Sequence, residues 1–373
     1  MKDTLKLPLI LRMTVVLLFL WLSYYMLTEF RNYLYPITLG GLFAYLLYPV
    51  ASYLEKHGLP RIFANILSIL MGIAVVGGLF FFIYKQMGLF LEDLPVLKTT
   101  ASKNINSIFK YLTQLTGVET PQLKEQFKTF ASNLLSFSGD NFKNTFGATF
   151  QTVFSVGIMP VYIFFLLFYR NKFHDFILMV VPKEKHAIAG KIIEEVNQLV
   201  VHYMTGVFVV VSILVVLNST GFVIIGMKHA LLLGVLAAIM NFIPYYGTII
   251  GYMFPLFIAV FTMNSPQYAF LVVIQFIIVQ FTENNILTPN IVGSHVSINP
   301  FMIILAITFG GFIWGLPGMF IAVPMAAVFR VLGENLPEMA PIGYLLGAEG
   351  TEEHSISRKK LAKIFKRKNK NSE

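Results

Sequence analysis

Between Lys228 and Arg330 the sequence holds one formal charge, Glu283. It sits at the head of the most polar stretch of that region, "FTENNILTPNIVGSHVSINP", residues 281–300. Gln280 precedes it by one helical turn and Gln275 by two, while Asn284 and Asn285 follow directly. A lone carboxylate among neutral amides suits reversible binding of a proton or a small cation. The amides offer hydrogen bonds without fixed charge. Downstream, Pro289 is expected to end the helix that carries Glu283. Asn290 adds another amide, Gly293 permits a turn, and Pro300 can begin the next helix.

Other chemistry finds little support. There is no cysteine, so disulfides, thiolate metal sites and cysteine nucleophiles are excluded. The seven histidines include no HExxH pair, and no phosphate-binding GxxxxGK[ST] loop occurs. No nucleophile–base set stands out. The sequence therefore points away from an enzyme and gives no sign of a metal or cofactor.

The elements that must hold Glu283 are apolar. Hydrophobic residues make up 56% of the 373 residues and charged residues 13%, with a mean hydropathy of +0.70. Soluble domains carry roughly 25% charged residues. An all-α integral membrane protein is expected, with about eight spans of roughly 20 residues each: 9–27, 33–54, 62–84, 148–169, 203–226, 230–261, 268–287 and 301–332. Within a bilayer Glu283 is costly, about 2.5–3.5 kcal/mol at a helix centre. Two readings follow: a carboxylate facing a polar cavity, or an interfacial one in headgroup water.

Organisation follows from charge and periodicity. Residues 1–85 hold the first three spans. Residues 86–147 form an external amphipathic region, with apolar repeats at Ile105, Ile108, Phe109, Leu112 and Leu115, at Leu123, Phe127, Phe130 and Leu134, and at Phe142, Phe146 and Phe150. Residues 148–332 hold the last five spans, with an amphipathic helix near 183–202, and residues 333–373 form a basic tail. Basic residues cluster at the N-terminus, at Lys56 and Arg61, between Arg170 and Lys191, and in the tail. All four clusters fall on one side of an eight-span chain, which places both termini in the cytoplasm.

Two spans, 230–261 and 301–332, would each run about 48 Å as straight helices, against a hydrocarbon core of about 30 Å. Both are interrupted. The first has Pro244, a GxxxG at Gly247 and Gly251, then "FIAV". The second has a GxxxG at Gly311 and Gly315, then Pro317, Gly318, "FIAV" and Pro324. Paired interrupted segments point to binding sites built from broken helices; GxxxG also permits close helix packing. Asn241, just before Pro244, is a further candidate for the polar pathway.

Three stretches resemble a known family. "LLYPVASYLEKHGLPRIFANIL" (46–67), "IPYYGTIIG" (243–251) and "NNILTPNIVGSHVSINPFMIILAITFGGFIWGLPGMFIAVPMAAVF" (284–329) are similar to the bacterial autoinducer-2 exporter family of multi-pass permeases. The resemblance covers most of the chain and implies eight spans, a bacterial inner membrane and transport without ATP. Family roles include export of a small furanone-type signalling molecule and exchange of sodium or lithium for protons. The chain departs from the family pattern at Ser294, where a basic residue is common, and at "FYRNKF", which lacks an Asp often found there. Three classes stay open: a secondary transporter, exporting a polar solute or exchanging cations for protons; a passive channel or scaffold; and a membrane enzyme, the least supported. Expected partners are membrane lipids and a small polar solute, monovalent cation or proton. Self-association into a homo-oligomer stays open, and nucleic acid is not expected.

Overall fold

The computed structural model describes residues 8–117, 121–134, 157–263, 265–293 and 298–348. Phe142, Phe146, Phe150, the first half of the expected fourth span, Ser294, His295 and most of the basic tail lie outside the described residues. What is described is helical throughout, with a single isolated bridge, Ile298 to Gly347, and no strand.

The chain opens with α1 (Leu9–Glu29) and α2 (Arg31–Lys56), joined through Phe30. Gly58, at φ 96°, and Pro60 separate α2 from α3 (Arg61–Thr116). Helix α3 has 56 residues, about 84 Å. No helix end falls at residue 85, where the third span was expected to give way to an external region; one helix carries both stretches. Gly117, left-handed at φ 67°, ends it, and α4 (Pro121–Leu134) follows.

Helices α5 (Met159–Phe168) and α6 (Arg170–Val180) lead to α7 (His186–Ile225). Helix α7 joins the amphipathic stretch near 183–202 and the fifth span into one 40-residue helix. Then come α8 (Ala230–Met240), α9 (Tyr246–Thr262) and α10 (Pro266–Thr282). Helix α10 passes directly into a π-helical stretch, Glu283–Val292. Pro289 therefore does not end that helix, contrary to expectation: the wider π turn absorbs it. Gly293, at φ 71°, makes the turn beyond. Helices α11 (Pro300–Trp314), α12 (Leu316–Asn335) and α13 (Ala340–Leu346) complete the described chain. Pro300 opens α11 as expected, and the Asn299 side chain accepts from Phe301 N at 3.0 Å.

Six of these helices are long and apolar enough to cross a bilayer. The two over-long segments are interrupted where the sequence suggests, but each reverses instead of kinking. Helices α8 and α9 form one hairpin, turned by residues 241–245. Helices α11 and α12 form another, turned at Gly315 (φ 64°, ψ −141°). Small residues let the arms touch. Gly251 lies so close to Ala237 that an added Cβ would stand 2.8 Å from its carbonyl oxygen, and Gly247 sits directly on the Met240 carbonyl. In the second hairpin the crossing is Gly310 on Gly318, main chain to main chain. The GxxxG reading of Gly311 and Gly315 is corrected here. Gly311 faces only the movable Met319 side chain, and Gly315 is the turn itself.

The hairpins enter from opposite ends of α7. The base of hairpin 1 follows the α7 C-terminus at Gly226, and Asn104 of α3 donates to Phe261 O and Met263 O at that base, both at 3.0 Å. The base of hairpin 2 meets the α7 N-terminal end, where Lys191 donates to Asn335 Oδ1 (3.1 Å) and Asn335 donates to Glu195 Oε2 (2.7 Å). Glu55, Arg61 and Arg170 cluster at that same end: Arg170 holds both Glu55 oxygens, at 3.0 and 2.6 Å, and Tyr45 ties α2 to Asn197 of α7 (2.8 Å).

The long extension of α3 is latched onto hairpin 1. Lys228 reaches Asp93 Oδ1 at 2.7 Å, and His229 Nε2 lies 3.0 Å from Asp93 Oδ2. The Lys228 ammonium holds the Asp93 carboxyl below its usual range. Burial pushes the His229 imidazole down, against the pull of Asp93. The signs follow. The Asp93 contribution is present above the ordinary carboxylate range and is lost only as pH falls through its lowered value. The attached arm favours neutral His229, so protons favour detachment below about pH 6.5. Ala101 is buried beneath this arm. Relative to exposed Ser107→Cys, whose rate corrects for the thiolate fraction at each pH, labelling of Ala101→Cys is expected to be faster at about pH 5.5 than at about pH 7.5. An unchanged ratio of the two rates would show that the latch does not titrate.

A carboxylate at a hairpin tip

The tip of hairpin 1 is irregular backbone in an otherwise helical region. Such backbone is tolerated at membrane depth only where protein or a water-lined cavity satisfies it. Pro244 removes one donor, and Tyr246 N donates to Pro244 O across Tyr245 at 2.8 Å. Tyr245 has φ 65° and ψ −58°, the strained form of γ-turn. Strain of this kind costs on the order of 1–3 kcal/mol and gathers at functional positions.

This tip presents Asn241 to Glu283. Asn241 Nδ2 donates to Glu283 Oε1 at 2.6 Å, across 42 residues of sequence. Thr248, in the first turn of α9, donates to Asn241 Oδ1 at 2.7 Å. Gln280 Nε2 reaches Glu283 Oε2 at 3.4 Å and Asn284 Oδ1 at 3.0 Å. Glu283 is half-buried and opens the π-helical stretch. π turns are rare and often found at functional sites. No basic side chain pairs with Glu283 among the described ion pairs. A carboxylate held only by neutral donors can take up a proton or a cation without first breaking a salt bridge.

A second polar cluster joins the same hairpin to its neighbours. Tyr252, one turn past Thr248, donates to Asn218 Oδ1 of α7. Gln275 Nε2 donates to the Asn218 main-chain oxygen at 3.1 Å, and Gly221 leaves room for it. Asn218, Ser219, Tyr252 and Gln275 are all buried. Ser219 Oγ, Gln275 Oε1 and Gln280 Oε1 are buried without a hydrogen-bond partner among the described residues.

Of the residues singled out from sequence, Glu283, Gln280, Asn284 and Asn241 converge. Gln275 pairs instead with α7. Asn285 and Asn290 donate to Phe281 O and Ile286 O of their own helix, so neither reaches the carboxylate. Pro244, Gly247 and Gly251 build hairpin 1. Gly311, Gly315, Pro317, Gly318 and Pro324 lie in hairpin 2. Thr248, Tyr252, Asn218 and Ser219 escaped the sequence reading. Their signal was available: Asn218-Ser219 interrupts an apolar run, and Thr248 and Tyr252 share a helix face at a spacing of four.

A family profile described as AI-2E family transporter matches residues 10–338. The chain belongs to the AI-2E transporter family. Among its relatives, YueF of Bacillus subtilis, an inferred transport protein, is 27% identical over 81% of this chain and 84% of its own length. YrrI of the same organism, also an inferred transport protein, is 29% identical over 80% and 84%. PerM of Escherichia coli, an inferred permease, is 22% identical over 83% and 89%. AI-2E family membership and the long apolar helices together make this a multi-pass membrane transporter. Within the AI-2E family match fall both hairpins and every residue of the Glu283 cluster.

Proposed function

We propose that the chain is a secondary transporter that carries a small polar solute out of a bacterial cell, with Glu283 binding the driving proton or cation. One observation carries this reading. The lone carboxylate of the last spans, at the end of α10, accepts a hydrogen bond from Asn241 at the tip of hairpin 1, a separate element of the chain. Binding at Glu283 and the position of hairpin 1 are then linked, because the Asn241 bond exists only while the tip is docked. The names of YueF, YrrI and PerM support transport in general. The same carboxylate also serves the alternative of sodium or lithium exchange for protons, since one site can hold either ion in turn. On this reading the chain lies in the inner membrane with both termini cytoplasmic, the basic clusters facing inward.

Purified protein in proteoliposomes, given imposed proton or sodium gradients and a panel of small polar solutes, tests the proposal. Accumulation of a solute, or of sodium against protons, that collapses with the gradient is expected. Flux indifferent to every gradient would leave a passive channel as the better description.

A further inference from the structure

Next to Asn241, at the tip of hairpin 1, stands Phe242. Its ring meets Phe320 edge-on, with centroids 5.7 Å apart and planes at 61°. Phe320 in turn stacks on Phe43 of α2, at 6.2 Å and 19°. Phe320 lies five residues after Gly315, the reversal of hairpin 2. The row of three rings therefore joins α2 to the tips of two hairpins that enter from opposite ends of α7. All three rings are half-buried, and the Glu283 cluster begins one residue away.

Three phenylalanines in contact are ordinary core packing in most proteins. Two features set these apart. Hydrogen bonds anchor the hairpin bases to different elements, Asn104 of α3 for one and Lys191 and Glu195 of α7 for the other, and the rings are where the two tips meet. The row also borders the only carboxylate of the region. An apolar constriction beside a polar pocket excludes water by dewetting, and it conducts only when the rings part.

We propose that Phe43, Phe242 and Phe320 form the central constriction of the transport path and set the size of solute that passes. This rests on the transporter reading above. While Phe242 and Phe320 touch, the path is shut. Separation of the tips opens it, and the gap between the rings limits what can move past Asn241.

The test uses the full chain in liposomes without any ion gradient, so a leak is read independently of coupled flux. The probes are glycerol, erythritol and sorbitol, followed by light scattering. Wild type is expected to leak little above protein-free liposomes. Phe320→Ala and Phe242→Ala remove a ring each and are expected to pass the polyols at least about tenfold faster, the smallest most of all. Phe257→Ala, a buried ring of hairpin 1 away from the tip, controls for loosened packing and is expected to stay tight. Folded Phe320→Ala and Phe242→Ala that leak no more than Phe257→Ala would overturn the proposal. Because either alanine variant could fail to fold, a second measurement links the tips. The chain has no cysteine of its own, so Phe242→Cys with Phe320→Cys can be joined by a short bismaleimide. The unlinked double variant lacks both rings and is expected to leak the polyols as the alanine variants do, and linking the tips is expected to close that leak. Linked protein that leaks as fast as the unlinked variant would also overturn it. Failure of the coupling role would appear elsewhere, as gradient-independent flux in an unlinked protein with an intact seal.

Discussion

Glu283→Gln is expected to abolish most gradient-driven flux while the protein still folds and inserts. The amide keeps the shape of the side chain and can still accept from Asn241, whose Nδ2 lies 2.6 Å from Glu283 Oε1. What it loses is the ability to be charged and then neutral. A fall of at least about tenfold, equivalent to about 1.4 kcal/mol in the barrier, is expected. Glu283→Asp retains the carboxylate but pulls it back from Asn241, so weakened flux with an altered pH profile is expected. The measurement needs matched protein levels, because poor insertion would imitate the result. Wild-type flux and pH dependence in well-inserted Glu283→Gln would leave Glu283 as a structural acceptor for the hairpin tip. The same liposomes can report Asn241→Ala, which removes the bridge to Thr248 as well. Flux in that variant is expected to fall with the carboxylate still present, because the tip is no longer tied to it.

Gly318→Ala and Gly247→Ala should each cost roughly 3 kcal/mol or more, at the upper end of overpacking. The reason is which atoms stand in the way. An added Cβ at Gly318 would overlap the Gly310 carbonyl, and one at Gly247 would overlap the Met240 carbonyl. Both obstacles are main chain, so no change of rotamer relieves them, and the hairpin arms must separate. Against a total stability on the order of 5–15 kcal/mol, a sharp drop in monodisperse yield and melting temperature in detergent is expected. Two comparisons isolate the cause. At Gly311 the new Cβ would meet the Met319 Cε at 2.6 Å, the free end of a flexible chain, so Gly311→Ala is expected to be mild. At Gly77 nothing stands within 4 Å, and alanine there should be neutral or stabilise α3 by about 0.5–1 kcal/mol. A Gly318→Ala protein as stable as Gly77→Ala would mean that the arms of hairpin 2 do not pack as closely as described.

Much was readable from the chain because it is local. Low charge and long apolar runs identify a membrane bundle, since bilayer thickness translates directly into residue count. The isolation of Glu283 needs only a count of charges. The interruptions at Pro244 and Gly315 are also plain, because proline lacks a donor and glycine alone tolerates the backbone angles found at Gly315. The polar character of Gln275 and Gln280 demanded partners, and Nε2 of each has one.

Direction was not readable. A break in a helix can kink it, unwind it or turn it back, and the same residue types serve all three. Reversal followed here because Gly247 and Gly251 on one arm, and Gly310 with Gly318 on the other pair, let antiparallel arms touch main chain to main chain. Continuity was equally hidden: α3 runs unbroken through residue 85, the expected end of its span, because a helix satisfies its own backbone hydrogen bonds in lipid and in water alike. Asn241 and Glu283 were each visible as candidates, yet they stand 42 positions apart, and neither periodicity nor composition reports which distant side chains share a pocket. Local chemistry told how each segment can fold and what each side chain can bind. The meeting of carboxylate, amide and hairpin tip arose from packing, which depends on the shapes of all the helices at once.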